Sequence, residues 1–427
     1  MIQVGGWYRP PVAVATLAAC PRPGSRALPR NPSIAERLAD LRGRDLYRRR
    51  RVVEGTQGRE IRVAGRLLLN FCSNDYLGLA ADPRLRESLR EAALRWGVGA
   101  GASHLVCGHT AAHQELEEAL AAFTGRPRAL LFGSGYAANM GAIAALLGPG
   151  DRVFEDRLNH ASLLDGGQLS RARFSRYRHA DVADLERRLQ ARGAGAAGSG
   201  QALVVSDGVF SMDGDLCPLA ELVGVARRHA AWLMIDEAHG LGVHGRGGRG
   251  LVDAQRYGTA DVPVLVGTLG KAFGTAGAFV AGDAELIELL VQQARPYIYT
   301  TAQPAALAAA TLTSLRIVEQ EEWRRERLRA LVARFHAGLA ALGLPLPAAT
   351  LPIQPVVVGE PARALALSAA LEADGLLVGA IRPPTVPVGT SRLRVTFTAA
   401  HELADVDRLV ETLASAMRRV AEARDHG

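Results

Sequence analysis

Lysine is nearly absent from this sequence. Of its 50 basic residues, 49 are arginine and one, Lys271, is lysine. Arginine stays protonated at accessible pH, whereas a lysine amine loses its proton readily and forms imines with carbonyl compounds. Lys271 is therefore either kept for amine chemistry or an unremarkable surface residue, and its sequence setting decides between the two.

Cysteine and long apolar runs are also scarce. The four cysteines are far apart and form no Cys-x-x-Cys pair or histidine spacing typical of zinc: Cys20, Cys72, Cys107 and Cys217. No stretch approaches the ~18 consecutive apolar residues that a membrane-spanning helix needs. We therefore expect a cytoplasmic protein that holds no metal and does not cross a membrane.

The formal net charge is +7, but the arginines are spread along the chain and only Arg48–Arg51 form a run. This dispersal favours anionic small molecules as partners over nucleic acid. Residues 1–30, rich in Pro and Arg, are predicted to be a disordered extension, the alternative being a start codon placed too early. The length of 427 residues predicts two or three folded units.

Apolar, β-branched runs alternate with helical patterns over residues 128–280, which predicts an α/β domain with a mainly parallel sheet covered on both faces. Strands are predicted at 129–132, 152–154, 202–206, 232–235, 262–266 and 278–281, and helices at 136–147, 181–190 and 219–230. Residues 193–200 are predicted to form a surface loop.

The pattern changes after a long helical region at 304–342. Separated strands at 353–358 and 393–398, with helices at 362–374 and 401–423, predict a smaller α+β domain. A helix at 33–44 and a hairpin at 60–70 either pack with that domain or cross to a second subunit. The predicted segments are 31–75, a large domain at 76–310 and a small domain at 311–427.

Lys271 lies in Gly267-Thr-Leu-Gly-Lys-Ala-Phe-Gly274, directly after a predicted strand. Ligand sites of parallel sheets lie beyond the carboxyl ends of the strands. The glycines allow close backbone approach to a ligand, and the Thr268 hydroxyl can reach a phosphate. A surface lysine needs no such setting.

Asp236 ends another predicted strand and is followed by Glu237-Ala238-His239. A buried carboxylate is costly unless it meets a cation, and the protonated ring nitrogen of pyridoxal phosphate is one. His239 is then placed to donate to the phenolic oxygen of that ring. The alternative for Asp236 is a helix N-cap or a structural hydrogen bond.

Three further motifs follow predicted strands. Gly133-Ser-Gly-Tyr-Ala-Ala-Asn139 offers the backbone amides of Gly135 and Tyr136 at a helix start, where phosphates bind, unless it is an ordinary turn. His160 can stack on a planar cofactor or be a structural histidine, and Ser211 can bind the cofactor or merely form a turn. Because all the candidates follow strands, we expect them at one edge of one sheet.

Taken in order, these motifs resemble those of the α-oxoamine synthase family over residues 31–420. They are Asn74-Asp-Tyr-Leu-Gly-Leu79, Asp207-Gly-Val-Phe-Ser-Met-Asp-Gly214, Asp236-Glu-Ala-His-Gly240 and Thr268-Leu-Gly-Lys271. The family joins an amino acid to an acyl thioester with loss of carbon dioxide. The resemblance implies a fold-type-I pyridoxal-phosphate enzyme, with a mainly parallel seven-stranded sheet and a smaller C-terminal α+β domain.

The resemblance also implies roles by matching motif. Lys271 carries the Schiff base, with Asp236 on the ring nitrogen, His239 on the phenolic oxygen and His160 stacked on the ring. Ser211, Thr268, Gly135 and Tyr136 complete the cofactor contacts. Thr300 and Thr301 contact the cofactor phosphate in the site of the other subunit, which implies a homodimer with shared sites. Arg48, Asn74, Thr385 and Arg394 bind substrate, the register of Arg48 being open within its arginine run.

Residues 380–389, Ala-Ile-Arg-Pro-Pro-Thr-Val-Pro-Val-Gly, followed by Arg392-Leu-Arg394, resemble the family branch that condenses L-alanine with pimeloyl-CoA or a pimeloyl-carrier protein. Sister enzymes use glycine with acetyl-CoA or succinyl-CoA. Alternatives of another class are a catalytically silent cofactor-binding subunit and a nucleic-acid binder. The joint presence of Lys271, Asp236 and His160 opposes the former, and the dispersed arginines oppose the latter.

Overall fold

The computed structural model describes residues 32–191, 200–252 and 256–425, and the chain divides into two compact units, 1–48 and 49–427. In the first unit, helix α1 (Ile34–Gly43) begins with a capping box between Ser33 and Glu36. The predicted extension at 1–30 and most of the predicted loop at 193–200 lie outside the described residues. The domain boundaries predicted at 75 and 310 stay predictions.

The second unit contains alternating strands and helices. Its described strands are β1 (Glu60–Val63), β2 (Arg66–Asn70), β3 (Arg128–Phe132), β4 (Arg152–Asp156), β5 (Arg173–Tyr177), β6 (Ala202–Asp207), β7 (Trp232–Asp236), β8 (Val264–Thr268), β9 (Ala278–Gly282), β10 (Ile353–Gly359), β11 (Leu376–Leu377), β12 (Gly379–Ile381) and β13 (Ser391–Thr396). Its described helices are α2 (Pro83–Trp96), α3 (Ala111–Thr124), α4 (Gly135–Leu146), α5 (Ala161–Leu169), α6 (Val182–Gln190), α7 (Leu219–Arg228), α8 (Ala284–Gln293), α9 (Arg295–Ile298), α10 (Ala305–Gln320), α11 (Glu322–Ala341), α12 (Pro361–Ala373) and α13 (Leu403–Asp425).

The large sheet has seven strands in the order β3-β9-β8-β7-β6-β4-β5. Strand β9 runs antiparallel to both its neighbours, and the other pairings are parallel. The carboxyl ends of β3, β4, β6, β7 and β8 therefore meet at one edge, as predicted. A mainly parallel sheet is confirmed.

Side-chain alternation along the central strands divides the core between the two faces of this sheet. In β6, Val204 belongs to one apolar cluster, whereas Leu203 and Val205 belong to another. All six residues of β6 are buried, as expected for a strand covered on both faces. The apolar runs in the sequence predicted a sheet covered on both faces, and the burial of β6 agrees with that prediction.

Two smaller sheets are built from strands that precede or follow the large sheet in the sequence. The hairpin β1-β2 is extended by β11, which pairs in parallel with β2, so the predicted hairpin joins the C-terminal part of the chain. Strands β10, β13 and β12 form an antiparallel sheet. Among the described residues, no helix is long and apolar enough to cross a membrane.

Several predicted boundaries were wrong. The strand predicted at 262–266 lies at Val264–Thr268, so Thr268 ends the strand instead of sitting in the following turn. The helical region at 304–342 is two helices that meet at Glu321. Strand β5 was missed because Arg-Phe-Ser-Arg-Tyr is largely polar and lies at the sheet edge with one buried residue.

Candidate active site

The amine of Lys271 lies in the turn that follows β8, against the imidazole of His239. Nζ is 3.0 Å from Nε2 of His239. Burial lowers the pKa of Lys271, and the charges of Asp236 and Asp207 oppose that effect. A half-buried lysine with a lowered pKa is suited to act as an amine nucleophile or base.

The Lys271 turn is held in place by Gly274, which adopts a φ of +66°. A Cβ at this position would lie 2.5 Å from the backbone nitrogen of Ala80 and 2.6 Å from the carbonyl carbon of Leu79. We expected the glycines of this turn to allow close approach to a ligand. Gly274 instead allows close approach to the chain's own backbone, at Leu79 and Ala80. Two of the predicted motifs pack directly on each other here.

Asp236 is buried at the end of β7, and its carboxylate is held by two hydrogen bonds. Oδ2 accepts from the side-chain amide of Asn139 at 2.7 Å, and Oδ1 accepts from the backbone N–H of Ala238 at 2.8 Å. Within the described part of the chain, no Lys, Arg or His nitrogen forms an ion pair with this carboxylate. A buried, oriented carboxylate lacking a protein cation fits the protonated nitrogen of a pyridine ring.

The two predicted phosphate-binding segments lie side by side. Ser134 caps helix α4 by accepting from the Ala137 N–H at 3.1 Å, which leaves Gly135 and Tyr136 in the first turn. A Cβ placed on Gly135 would lie 3.9 Å from Oγ1 of Thr268. The Thr268 hydroxyl donates to the Gly277 carbonyl at 3.2 Å, so the backbone amides at the helix start are the donors suited to a phosphate.

His160 is the N-cap of α5, and its ring is exposed at the sheet edge. Its Nδ1 lies 2.7 Å from Oγ of Ser162, and its backbone N–H donates to Asp207 at 2.7 Å. The Tyr136 ring meets it edge to face, 6.3 Å between centroids. The imidazole is thus fixed through one nitrogen and the backbone, which leaves its face available for a planar group.

A cavity of about 550 Å³ opens beside His160 and brings together residues from distant segments. It is lined by Arg157, Leu158, Asn159, His160, Ala161, Leu164, Arg176, Phe210, Ser211, Met212, Asp213, Pro384, Thr385, Val386 and Pro387. The predicted cofactor residues His160 and Ser211 therefore share this cavity with the predicted substrate residue Thr385. Two arginines and one carboxylate, that of Asp213, are its charged lining groups.

Arg394 on β13 reaches this region from the small sheet. Its Nε donates to the backbone carbonyl of Ser211 at 2.6 Å, and Nη1 and Nη2 donate to Oδ1 of Asn74 at 3.2 and 3.1 Å. Nη1 and Nη2 each keep a second N–H, and these two donors diverge, so each can serve a separate acceptor. Two predicted substrate residues are thus in direct contact.

Several residues near the site were not predicted, among them Asn139 and Tyr76. Asn139 contacts Asp236, and Tyr76 donates or accepts at Nδ1 of His239 over 2.6 Å. Both lie inside motifs noted in the sequence, and membership of those motifs was the only sequence feature that could have indicated a role at the site. Thr300 and Thr301 are exposed in the single chain, and Arg48 belongs to the other compact unit, so their predicted roles stay predictions.

Comparison with known proteins finds relatives that match most of this chain. The sequence pattern of the family described as aminotransferase class I and II matches residues 66–413. An 8-amino-7-oxononanoate synthase of Stutzerimonas stutzeri (strain A1501) is 59% identical over 392 residues, or 92% of this chain and 98% of that protein.

Solved structures share the fold. A variant of the serine palmitoyltransferase of S. paucimobilis, with bound PLP-myriocin aldimine, has a TM-score of 0.82 and 34% identity over 87% of this chain and 93% of that chain. The 8-amino-7-oxononanoate synthase of Francisella tularensis has a TM-score of 0.71 and 29% identity over 82% of this chain and 98% of that chain.

Proposed function

This chain belongs to the aminotransferase class I and II family, and we propose that it is an acyltransferase of biotin biosynthesis. It condenses L-alanine with a pimeloyl thioester, on CoA or a carrier protein, and gives 8-amino-7-oxononanoate, carbon dioxide and the free thiol. The 59% identity to the Stutzerimonas stutzeri 8-amino-7-oxononanoate synthase supports this reaction. The cofactor is pyridoxal phosphate.

The observation that carries the proposal is the arrangement of three groups at one sheet edge. They are the lone lysine amine of Lys271, the buried carboxylate of Asp236 and the exposed ring of His160. They match what the cofactor presents, namely an aldehyde, a ring nitrogen and a planar face. Gly135, Tyr136 and Thr268 would hold its phosphate, and Ser211 would complete the contacts.

When bound, pyridoxal phosphate supplies an electron sink for the negative charge that develops at the alanine Cα. Asp236 would stabilise a proton on the ring nitrogen, and the Asn139 amide fixes the orientation of that carboxylate. The amine of Lys271, which burial disposes toward the neutral form, removes the Cα proton of alanine and later returns a proton to that carbon.

Arg394 and Asn74 would hold the carboxylate of alanine, because the guanidinium is rigidly placed by Ser211 and Asn74 and retains donors for a second partner. The cavity would admit the acyl donor past Thr385. Over the whole reaction a bond forms between the alanine Cα and the thioester carbonyl carbon. The carbon–sulfur bond breaks, and the alanine carboxyl leaves as carbon dioxide.

A homodimer with shared sites is part of the proposal. Exposed apolar side chains lie near the predicted Thr300 and Thr301 contacts in the sequence or near Ser103, with Tyr299 71% and Val106 76% exposed. Ser103 forms a β-bridge with Thr301, so this surface spans two segments of the chain. Exposed apolar surface of this kind marks association sites.

A cytoplasmic location is also part of the proposal. The thiols of Cys72, Cys107 and Cys217 form no disulfide, which fits a reducing compartment.

Substrate profiling tests the proposal. Purified protein with pyridoxal phosphate is given L-alanine and pimeloyl-CoA, or glycine with acetyl-CoA or succinyl-CoA, and the products are identified by mass. With [1-¹³C]alanine, labelled carbon dioxide should accompany 8-amino-7-oxononanoate. Preferred turnover of glycine would assign a sister reaction, and cofactor binding without any turnover would indicate a silent subunit.

A further inference from the structure

A continuous series of hydrogen bonds leads from Arg394 to Lys271. The guanidinium donates to Oδ1 of Asn74, and the hydroxyl of Tyr76 lies 3.3 Å from that oxygen. The same hydroxyl is 2.6 Å from Nδ1 of His239, whose Nε2 is 3.0 Å from Nζ of Lys271. Tyr76 and His239 are both buried, so water does not compete for these bonds.

The single proton of the Tyr76 hydroxyl has two possible acceptors, and the geometry selects one. Oδ1 of Asn74 already accepts two N–H groups from Arg394. Nδ1 of His239 is the nearer acceptor, at 2.6 Å against 3.3 Å. We therefore assign the hydroxyl proton to the bond with Nδ1, which leaves Nδ1 without a proton of its own.

His239 is a neutral imidazole. Burial lowers its pKa well below the ordinary value, and the charges of Lys271, Arg394 and His160 act in the same direction. A neutral ring whose Nδ1 accepts carries its proton on Nε2. That N–H faces Nζ of Lys271, and it can bond only to the lone pair of an unprotonated amine.

We propose that Tyr76 is a positioning residue: its hydroxyl fixes the His239 tautomer that presents Nε2–H to Nζ of Lys271 and so keeps that amine unprotonated. An unprotonated amine is the form that attacks an aldehyde. The same N–H would serve the phenolic oxygen of the cofactor. The inference rests on the proposed role of Lys271 and adds the residue that prepares its amine.

Other charged groups also face this amine and contribute to its pKa. Asp207 ends β6 and Asp236 ends β7, and both carboxylates favour the protonated amine, whereas Arg394 on β13 disfavours it. The Tyr76 hydroxyl bonds to Arg394 but to neither carboxylate. A shift caused by Tyr76→Phe is therefore assigned to the His239 tautomer only if it disappears when His239 is replaced.

The test titrates Lys271 without cofactor. Because the chain has one lysine, protein labelled with [ε-¹³C]lysine gives one lysine resonance, and its shift against pH reports the amine. In Tyr76→Phe, Nε2 is free to accept from an ammonium group, and the midpoint should rise by about one pH unit. Tyr177→Phe, at a buried tyrosine on the edge strand β5, is the matched control and should not shift it.

Two further measurements keep the result specific. In a His239→Leu background, Tyr76→Phe should move nothing. At a pH well below both midpoints, the wild type should capture pyridoxal phosphate about tenfold faster than Tyr76→Phe, because the unprotonated fraction there falls tenfold for each unit by which the midpoint rises. An unchanged or lowered midpoint in Tyr76→Phe, or the same rise in the His239→Leu background, overturns the proposal. Because the titration uses neither cofactor nor substrates, its failure is distinct from failure of the proposed reaction.

Discussion

The side-chain amide of Asn139 donates a hydrogen bond to Oδ2 of Asp236 over 2.7 Å, and both residues are buried. The two lie 97 positions apart in sequence. Asn139 is in α4 and Asp236 ends β7, so the bond ties the predicted phosphate-binding helix to the predicted partner of the ring nitrogen.

Asn139→Ala should weaken cofactor binding, because the carboxylate of Asp236 would keep only its bond from the Ala238 N–H. Loss of one hydrogen bond to a charged group is worth about 1.5–3 kcal/mol, so the Kd for pyridoxal phosphate should rise roughly tenfold to a hundredfold. Titration of cofactor into the cofactor-free protein measures this. An unchanged Kd, with the thermal midpoint of the cofactor-free protein also unchanged, would contradict the role given to Asn139.

Gly274→Ala should destabilise the turn that carries Lys271. The new Cβ would lie 2.5 Å from the Ala80 backbone nitrogen, and φ is +66°, so we expect a loss of about 3 kcal/mol or more in the free energy of unfolding by urea. Gly247→Ala is the matched control, because its φ is +61° but nothing lies within 4 Å. It should lose only about 1 kcal/mol. Equal losses would show that the contact with Ala80 does not matter.

His179 holds together the segments that carry Ser211 and the end of β4. Its Nδ1 is 3.1 Å from Asp156 and its Nε2 is 2.9 Å from Asp215. Burial opposes the imidazolium charge, but the bonds to the two carboxylates outweigh it and raise the pKa of His179 to about 10 from 6.5. A raised pKa in the folded state contributes stability below about pH 6.5, and this is lost as pH rises through about 10.

His179→Gln should therefore cost roughly 1–3 kcal/mol of unfolding free energy at pH 6.5 and much less at pH 10. Urea denaturation at both pH values gives the difference. His336→Gln is the control, because its ring bonds to the Gln354 side-chain oxygen and not to a carboxylate, and its effect should not follow this pH dependence. A cost for His179→Gln that is equal at both pH values would contradict the charged pair.

Shared active sites predict complementation between inactive chains. Lys271→Ala and the double variant Thr300→Ala, Thr301→Ala should each be nearly inactive alone. Mixed and allowed to exchange subunits, they should form heterodimers in which one of two sites is complete, with up to about a quarter of wild-type activity at equal mixing. No recovery, with exchange verified by mass, would place the two threonines outside the neighbouring site.

Much of this arrangement follows from local sequence signals. The buried strands can be recognised from their apolar, β-branched composition. Because parallel strands end at one edge of the sheet, the placement of Lys271, Asp236 and His160 could be predicted from their positions after those strands. The resemblance to the α-oxoamine synthases is confirmed by the relatives. Strand β5 was missed because its polar edge position gives no apolar run.

The contacts within the site could not be predicted in the same way. Tyr76 and His239 are 163 positions apart, and their 2.6 Å bond arises from packing of the Asn74-Asp-Tyr76 segment under the Lys271 turn. No periodic pattern encodes such a pair. The sequence placed each motif on an element, and the distances between motifs required the structure.

The account depends most directly on a covalent bond between the cofactor and Nζ of Lys271. Purified protein is mixed with pyridoxal phosphate, reduced with borohydride, digested and analysed by mass spectrometry, with Lys271→Ala treated in parallel. Because the chain has one lysine, the account predicts one internal labelled peptide, the one containing Lys271, and none from the variant. Unlabelled wild-type protein, or label confined to the terminal amine, would contradict the central claim.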